Sequence, residues 1–167
     1  LDYSNIKLSF DIEGGEFDIS NQYEPLLIGS MDVGIAMQNA ALAAESLGYG
    51  IVFCGGVRGF AKGISELLNI PENALFLCGL SIGVIDEEKS TEKVKPRLPH
   101  EANVGYNEFP KSNEEVLKQY RQTMIDFAEA RETKTWTKKF ADFYAQPSGI
   151  EAVTRKLLEK NGFLSKK

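Results

Sequence analysis

The segment from Ser30 to Leu47 constrains the fold most strongly, because its sequence predicts a helix that is apolar around most of its circumference. Ser30 and Asp32 suit the amino end of such a helix, where unpaired amides and the positive end of the helix dipole lie. Gly48 supplies the left-handed residue that commonly ends a helix. The apolar positions are Met31, Ile35, Met37, Ala40, Ala41, Ala44 and Leu47. A helix of this kind is expected to be buried, either at the centre of a domain or in an oligomer interface.

Two apolar segments, one on each side of a second helix, are predicted to be strands. Residues 50–54 predict a short buried strand that Gly55 and Gly56 end. Residues 75–85 lack alternation and contain two glycines, which predicts a strand covered on both faces. Between them, apolar residues at helical spacing are expected to share one helix face: Phe60, Ile64, Leu67 and Leu68.

The remaining segments are interpreted from their turn and capping residues. Residues 1–25 are polar and punctuated by glycine and proline, which indicates a loop, and residues 86–111 are interpreted as a long structured loop. Three amphipathic helices are expected after residue 111, the first capped by Ser112 and the third by Ser148. Two strands cannot make a stable sheet alone, so further strands are expected, and the order of elements predicts a mixed α and β fold.

The composition excludes several classes of function. The 167 residues carry a net charge of −5, so unspecific nucleic-acid binding through a basic surface is not expected. Two cysteines make no disulfide framework, which is typical of a reducing cytoplasm. His100 is the only histidine, which excludes a zinc cluster of Cys and His and any catalytic triad that does not use His100. The chain contains no uninterrupted run of 18 apolar residues, so a membrane-spanning helix is not expected.

The first candidate site is the sequence Phe53-Cys54-Gly55-Gly56-Val57-Arg58, in which a predicted strand runs through two glycines into a helix. Glycine lets a backbone approach a planar or phosphorylated ligand, because no β-carbon stands in the way. The planar guanidinium of Arg58 suits a phosphate or a carboxylate. A tight turn followed by a surface arginine explains the same residues without a ligand.

The second candidate site is the sequence Lys95-Pro96-Arg97-Leu98-Pro99. Proline stiffens this segment and holds its two cations in place, which suits the binding of an anionic ligand. A solvated basic loop explains the same residues without a ligand. Cys54 and Cys78 are interpreted as small core residues and not as nucleophiles. A third basic group consists of three lysines near Trp136: Lys134, Lys138 and Lys139. These lysines are interpreted either as binding a dinucleotide phosphate or as part of a solvated helix face.

Several of these segments, taken in order, resemble the FMN-dependent, NAD(P)H-using nitroreductases. Asp32–Gly50 resembles the central helix of that family, and Ile51–Arg58 resembles the strand and Gly-Gly-x-Arg turn that follow it. Ile64–Pro71 and Phe76–Gly83 resemble the next helix and strand. Lys95–Pro99 resembles a motif of the oxygen-insensitive NADPH nitroreductase and flavin reductase group.

The resemblance implies one α+β domain over residues 1–167, with a central, mostly antiparallel sheet wrapped by helices. It also implies a homodimer that holds FMN at the subunit interface, with residues 111–167 forming a helical extension that packs on the partner. NAD(P)H would give a hydride to the flavin, which would then reduce a nitroaromatic, a quinone or free flavin, without a side-chain general acid and without a metal. The implied cofactor-binding residues are Phe53, Cys54, Gly55, Gly56, Arg58, Lys95 and Arg97.

The chain departs from the family pattern at two places. The arginine-containing segment that holds the FMN phosphate has no counterpart here, and Leu1–Ser4 is similar to the end of a strand, so the fold is expected to be incomplete at its N-terminus. The alternative function is therefore a non-catalytic or truncated dimeric relative that no longer holds FMN. A flavin-dependent dehalogenase on the same scaffold is a further alternative. The loop Arg131–Lys134 is shorter than in the family and carries an acid, which leaves the choice between NADH and NADPH open.

Overall fold

A computed structural model describes residues 1–90, 93–111, 113–129, 134–146 and 149–165. The chain divides into two compact units, of which the first comprises Leu1–Glu88 and Gly149–Lys167. The second unit comprises Lys89–Ser148 and therefore interrupts the first unit in sequence. The helices and strands combine in an α+β fold, in which helices accompany a small antiparallel sheet. The α+β prediction is confirmed.

The first helix, α1 (Ser4–Glu13), lies in the segment that the sequence was expected to leave as a loop, so that expectation is wrong. The Asp2 carboxylate accepts hydrogen bonds from the Ser4 amide at 2.8 Å and the Ser4 hydroxyl at 2.6 Å, which holds the start of the helix. An ion pair between Lys7 and Asp11, one turn apart, supports the exposed side. Helix α1 contains no buried residue, and its apolar residues alternate along the sequence instead of recurring only at the helical spacing on which helix prediction relies.

The long apolar helix, α2 (Tyr23–Ser46), begins seven residues before the predicted start, and Ser30 lies in its interior instead of capping it. Pro25 is the third residue of α2, where a missing amide hydrogen removes no helical hydrogen bond. The Tyr3 hydroxyl donates a hydrogen bond to the Pro25 carbonyl oxygen at 2.8 Å and fixes this first turn. The predicted end is right to within one residue, and Gly48 has the left-handed φ of +84° that was expected of it.

Helix α2 is largely exposed within this chain, contrary to the expectation that the chain itself might bury it centrally. Its buried residues are Gly29, Ala41 and Ala44, whereas Met31 and Ile35 are 61% and 63% exposed. One 18-residue window of α2 has a mean hydropathy of 1.3, so length and composition alone would allow the helix to cross a membrane. A single helix of this kind is weak evidence for a membrane span, because core helices of soluble proteins have the same composition.

Strands β1 (Tyr49–Cys54) and β2 (Gly79–Val84) pair antiparallel, from Tyr49 opposite Val84 to Cys54 opposite Gly79. The strand predicted at 50–54 is confirmed in position, but none of its residues is buried as expected, and the one predicted at 75–85 begins four residues later. The strand begins later because the Leu75 amide donates a hydrogen bond to the Leu1 carbonyl oxygen at 2.8 Å and not to β1. The predicted burial on both faces is also wrong, because α2 packs on β1 while several side chains of the sheet remain exposed.

The second predicted helix is present as a 3-10 helix (Gly56–Phe60) followed by α3 (Ala61–Leu67). Its buried residues are Ala61 and Ser65, one turn apart. The predicted apolar face is largely exposed, because Phe60 and Leu67 are 75% and 79% exposed although α3 packs against helix α7 (Gly149–Lys160). The sequence pattern therefore located the helix and misjudged which side packs.

The second unit contains α4 (His100–Asn103), α5 (Glu114–Ala128) and α6 (Trp136–Ala145). The helices expected after residue 111 are confirmed, but Asn113 caps α5 by accepting hydrogen bonds from the amides of Glu115 and Val116. The predicted caps Ser112 and Ser148 lie outside the described residues. The rings of Tyr120 and Trp136 meet edge to face at 5.2 Å and join α5 to α6.

The core of the first unit is closed by the residues that follow α7. Phe163 is fully buried in a cluster with Ile19, Ala61, Leu75 and Leu157. The helix ends where predicted, because Gly162 has a left-handed φ of +80° and turns the chain into this cluster.

Candidate functional site

The candidate site lies where β1 ends and the 3-10 helix begins. Cys54 is the last paired residue of the strand, opposite Gly79, and Gly55 follows in a right-handed conformation with φ −73°. A β-carbon added at Gly56 would meet no heavy atom of the described residues within 4 Å. Glycine at this position is therefore not required by backbone conformation or by neighbouring atoms. What it provides is open main chain, which a flat ligand can approach closely.

The side chains just before the two glycines are accessible. Phe53 is 46% exposed and stands opposite Leu80 in the sheet. The Cys54 thiol lies 3.5 Å from the Ser81 hydroxyl, and Cys54 and Cys78 are both free and only partly buried. The interpretation of these cysteines as core residues is therefore corrected: both lie at the end of the two-stranded ladder and are only partly buried.

The side chain of Arg58 turns back toward the main chain of its own unit. Its guanidinium Nη1 donates a hydrogen bond to the Leu77 carbonyl oxygen at 3.3 Å. A β-carbon built on Gly55 would lie 3.5 Å from the same nitrogen, so the guanidinium lies on the side of Gly55 that a side chain would occupy. Arg58 is half-buried and is not the fully solvated arginine that a simple surface turn would carry.

Lys95 and Arg97 belong to the second unit and are both exposed. The Arg97 Nη1 donates to the Lys95 carbonyl oxygen at 3.3 Å, and the Pro96 carbonyl oxygen between them accepts from the Tyr120 hydroxyl at 3.0 Å. These bonds fix the backbone of the segment. Within the part of the chain that the structure describes, neither cation forms a salt bridge, so two positive charges stand on a fixed segment.

The third basic group, beside Trp136, is partly neutralised. Lys134 and Lys138 both bind the Asp142 carboxylate, at 2.9 Å and 2.5 Å. The hydrogen bonds from these two ammonium groups lower the pKa of the Asp142 carboxyl below its ordinary value. The predicted loop residues Arg131, Glu132 and Thr133 lie outside the described residues.

Two cavities adjoin these lysines. A cavity of about 230 Å³ lies between α5 and α6, with Met124, Ala128 and Trp136 in its wall. A more open one of about 540 Å³ is lined by Arg121, Lys138 and neighbouring threonines. Arg121 is not among the residues predicted from the sequence, although it directly follows the buried Tyr120 on α5.

Comparison with known proteins is consistent with this architecture. A model of the "Nitroreductase family" matches residues 21–84, and a model of the "Nitroreductase family, C-terminal domain" matches residues 95–166. The solved structure of the hypothetical oxidoreductase YcnD from Bacillus subtilis superimposes with a TM-score of 0.79 at 32% identity. That match covers 99% of this chain and 68% of the other.

Two curated relatives carry functional names. A Cr(VI) reductase from Pseudomonas sp. (strain G-1) is 38% identical over 148 residues, which is 86% of this chain and 59% of the relative. An FMN reductase [NAD(P)H] from Bacillus subtilis (strain 168) is 34% identical over 170 residues, which is 97% of this chain and 66% of the relative. The chain thus spans about six tenths to two thirds of the length of these relatives.

Proposed function

Because the chain belongs to the nitroreductase family, we propose that it acts as an FMN-dependent NAD(P)H oxidoreductase whose acceptors are nitroaromatics, quinones or free flavin. The family membership and the names of two relatives, an FMN reductase [NAD(P)H] and a Cr(VI) reductase, support redox chemistry with a nicotinamide donor. FMN binding, the acceptor and the whole protein's activity belong to the proposal.

The observation that carries the proposal is the open main chain at Gly55 and Gly56. An isoalloxazine ring is flat and wide, and it binds best where backbone can approach one face or edge without a side chain between. Gly56 leaves that space empty, and the exposed ring of Phe53 belongs to a residue three positions earlier in the chain. The residues present at the end of β1 therefore fit a planar cofactor.

The charges of Lys95 and Arg97 fit the other property of FMN, its negative charge. The chain as a whole carries a net charge of −5, so a phosphate would be repelled from most of its surface. Two cations without carboxylate partners among the described residues would bind the phosphate, or stabilise the negative charge of the reduced flavin. Their backbone is already held by the Tyr120 hydroxyl, which lowers the ordering cost of binding.

The cofactor supplies the chemistry, since FMN accepts a hydride from a nicotinamide and passes electrons to an acceptor. This chain's own residues would bind and orient it: the main chain of residues 53–56 against the ring, and Lys95 and Arg97 near its anionic groups. No side chain needs to act as a general acid or base in this scheme.

Homodimerisation and a cytoplasmic location complete the proposal. Helix α2 exposes Met31, Ile35 and Leu42 in this chain, and contiguous apolar surface of this kind usually marks an interface. On α6, Phe143 and Tyr144 are exposed as well. We therefore expect sedimentation at micromolar concentration to give a dimer; a compact monomer would contradict the proposed interface.

A pair of glycine substitutions tests the ring site. Gly56→Ala adds a β-carbon where the protein has space, so it should fold normally and still hinder a ring that lies against the main chain. We expect FMN to bind about tenfold more weakly or worse, from an overpacking cost of about 1–3 kcal/mol. Gly63→Ala on α3 is the matched control, because its β-carbon also meets open space, and it should leave FMN binding unchanged.

The measurement is FMN titration of the purified full-length gene product, followed by flavin fluorescence quenching and the visible absorbance of bound flavin. NAD(P)H consumption with a nitroaromatic or quinone acceptor then tests turnover. A protein that ignores added FMN would refute the proposal. FMN binding without NAD(P)H consumption would favour a non-catalytic relative.

Lys95→Ala and Arg97→Ala form the second arm of the experiment. Each should weaken FMN binding, and the loss should shrink at high salt because an exposed charge pair is screened. Lys111→Ala removes an exposed cation from the same unit and serves as the control. An equal loss of FMN affinity in all three variants would mean that Lys95 and Arg97 act only through the net charge of the protein.

A further inference from the structure

Arg58 has a role that differs from direct contact with a phosphate. We propose that Arg58 is a positioning residue, whose guanidinium holds the Gly55-Gly56 main chain in the conformation that receives the cofactor. This inference rests on the proposed function, because it assigns Arg58 a part in the same site.

The contacts of Arg58 join two points of the first unit, Leu77 and Gly55. The guanidinium Nη1 donates to the Leu77 carbonyl oxygen at 3.3 Å, and a β-carbon built on Gly55 would lie 3.5 Å from the same nitrogen. The backbone amide of Arg58 donates to the Gly55 carbonyl oxygen, also at 3.3 Å. The side chain and the main chain of one residue therefore both hold the turn that follows β1.

The location of Leu77 gives these contacts their consequence. Leu77 lies two residues before Gly79, which pairs with Cys54, the last residue of β1. The backbone ladder stops at that pair, so beyond it the two segments have no strand pairing to hold them together. The hydrogen bond from Arg58 spans this gap. It ties the turn after β1 to the segment that enters β2.

The chemistry of arginine suits this role better than that of lysine. A planar guanidinium donates to a carbonyl oxygen through N–H groups of fixed direction, whereas an ammonium group is a strongly hydrated point charge. Within the described residues Arg58 forms no salt bridge, and Leu77 provides its hydrogen-bond acceptor. The hydrogen bond therefore fixes the side chain on main-chain atoms and directs it away from the open side of Gly56.

A turn held in place binds a rigid ring more tightly than a turn that must be ordered on binding. Without Arg58 we expect the fold to persist, because the apolar cluster around Phe163 that forms the core of the first unit does not include Arg58. We expect the turn to sample several conformations and bind FMN more weakly.

The first test uses the protein without cofactor. Hydrogen–deuterium exchange of peptides that cover residues 54–58 and 77–79 is compared for wild type, Arg58→Met and Lys62→Met. Lys62 is an exposed cation on the next helix, so Lys62→Met controls for loss of charge. Arg58→Met should raise the exchange rate of these amides about tenfold, the order expected when a charge-assisted hydrogen bond is lost. Equal exchange in the two variants would overturn the proposal.

The second test uses FMN itself. Arg58→Met should weaken FMN binding about tenfold and shift the visible absorption band of the bound flavin, whereas Lys62→Met should do neither. Arg58→Lys keeps the charge and loses the planar contact, so its affinity should resemble that of Arg58→Met. A wild-type affinity in Arg58→Lys would overturn positioning in favour of charge. Faster exchange with unchanged FMN affinity would overturn it too.

Far-UV circular dichroism of each variant verifies that the fold is retained. Failure of the wild type to bind FMN would refute the proposed function. That outcome is distinguishable from failure of the Arg58 proposal, because the exchange experiment contains no FMN. Arg58→Lys guards against a misfolded Arg58→Met, since it keeps a long cationic side chain at the same position.

Discussion

Phe163 offers a direct test of how the first unit is held together. Its side chain is fully buried, and it packs with Ile19, Ala61, Leu75 and Leu157. Its ring also meets the ring of Tyr3 edge to face at 6.2 Å. The main chain of the same residue accepts a hydrogen bond from the Asn21 amide at 3.0 Å, which a side-chain substitution leaves in place. Phe163→Ala therefore removes packing alone.

The expected loss of stability is about 3–5 kcal/mol, the usual cost of replacing a buried phenylalanine by alanine. A value near the upper end is expected, because residues from four separate stretches of the chain meet at this ring and cannot all move into the cavity. Domains of this size are stable by about 5–15 kcal/mol, so the variant should lose a large part of its folding free energy. Phe109→Ala, at a ring that is 90% exposed, is the control and should change stability by less than about 0.5 kcal/mol.

The assay is urea unfolding followed by far-UV circular dichroism, combined with hydrogen exchange of peptides from the first unit. Fluorescence is the wrong probe, because the only tryptophan, Trp136, lies in the second unit. Peptides that contain residues 1–3, 19–22 and 73–75 should exchange faster in Phe163→Ala, since these stretches meet the closing segment around Phe163. If the urea midpoint moves no further than in Phe109→Ala, the cluster does not hold the first unit together.

Three further predictions concern single positions. Gly63→Ala should raise the free energy of unfolding by about 0.5–1 kcal/mol, because Gly63 lies in α3 and a β-carbon added there would meet open space. Urea unfolding measures this free energy, and a decrease would contradict the prediction. Gly105→Ala should destabilise the loop of the second unit by about 1–3 kcal/mol, since its β-carbon would meet the Glu108 carbonyl oxygen, a backbone atom; unchanged Trp136 fluorescence midpoints would contradict this. The Asp142 carboxyl has a pKa below its ordinary value of 3.8, so its ion pairs stabilise the fold above that pH and the contribution disappears as pH falls through the lowered pKa. NMR titration should show that pKa rising toward 3.8 in the Lys134→Met/Lys138→Met variant and not in Lys111→Met.

The sequence predicted the elements whose signals are local. Strand β1, the end of α2 and helices α5 to α7 follow from apolar spacing and from the stops at Gly48 and Gly162, and the structure has them near the predicted positions. Helix α1 and the first turn of α2 were missed because their supports are not periodic. They depend on the Asp2 carboxylate and on the Tyr3 hydroxyl, which reaches Pro25 across 22 residues.

Burial was the least predictable property. The apolar residues of α2, the sheet and Phe60 suggested a covered interior, yet this chain leaves many of them exposed. A pattern of apolar residues predicts that a helix or strand face is buried, but it does not show whether the same chain or another one covers that face.

Part of the candidate site was visible in the sequence and part was not. Two glycines after a strand predict main chain that a ligand can approach, and the structure has open space at Gly56. The acceptor of the Arg58 guanidinium, Leu77, lies 19 residues further on, so no local pattern could reveal it. The tie between Pro96 and Tyr120 spans 24 residues and was equally hidden.

The interruption of the first unit by the second has a consequence for synthesis on the ribosome. A nascent polypeptide emerges in order, so Ile19, Ala61 and Leu75 leave the exit tunnel long before Leu157 and Phe163, their partners in the cluster. For the time that the intervening 60 or so codons are being read, these side chains have no complete cluster to enter, and trigger-factor-like chaperones would find them accessible. Helix α7 and the residues after it thus complete the cluster, and messages cut short before α7 would yield chains that cellular proteases remove.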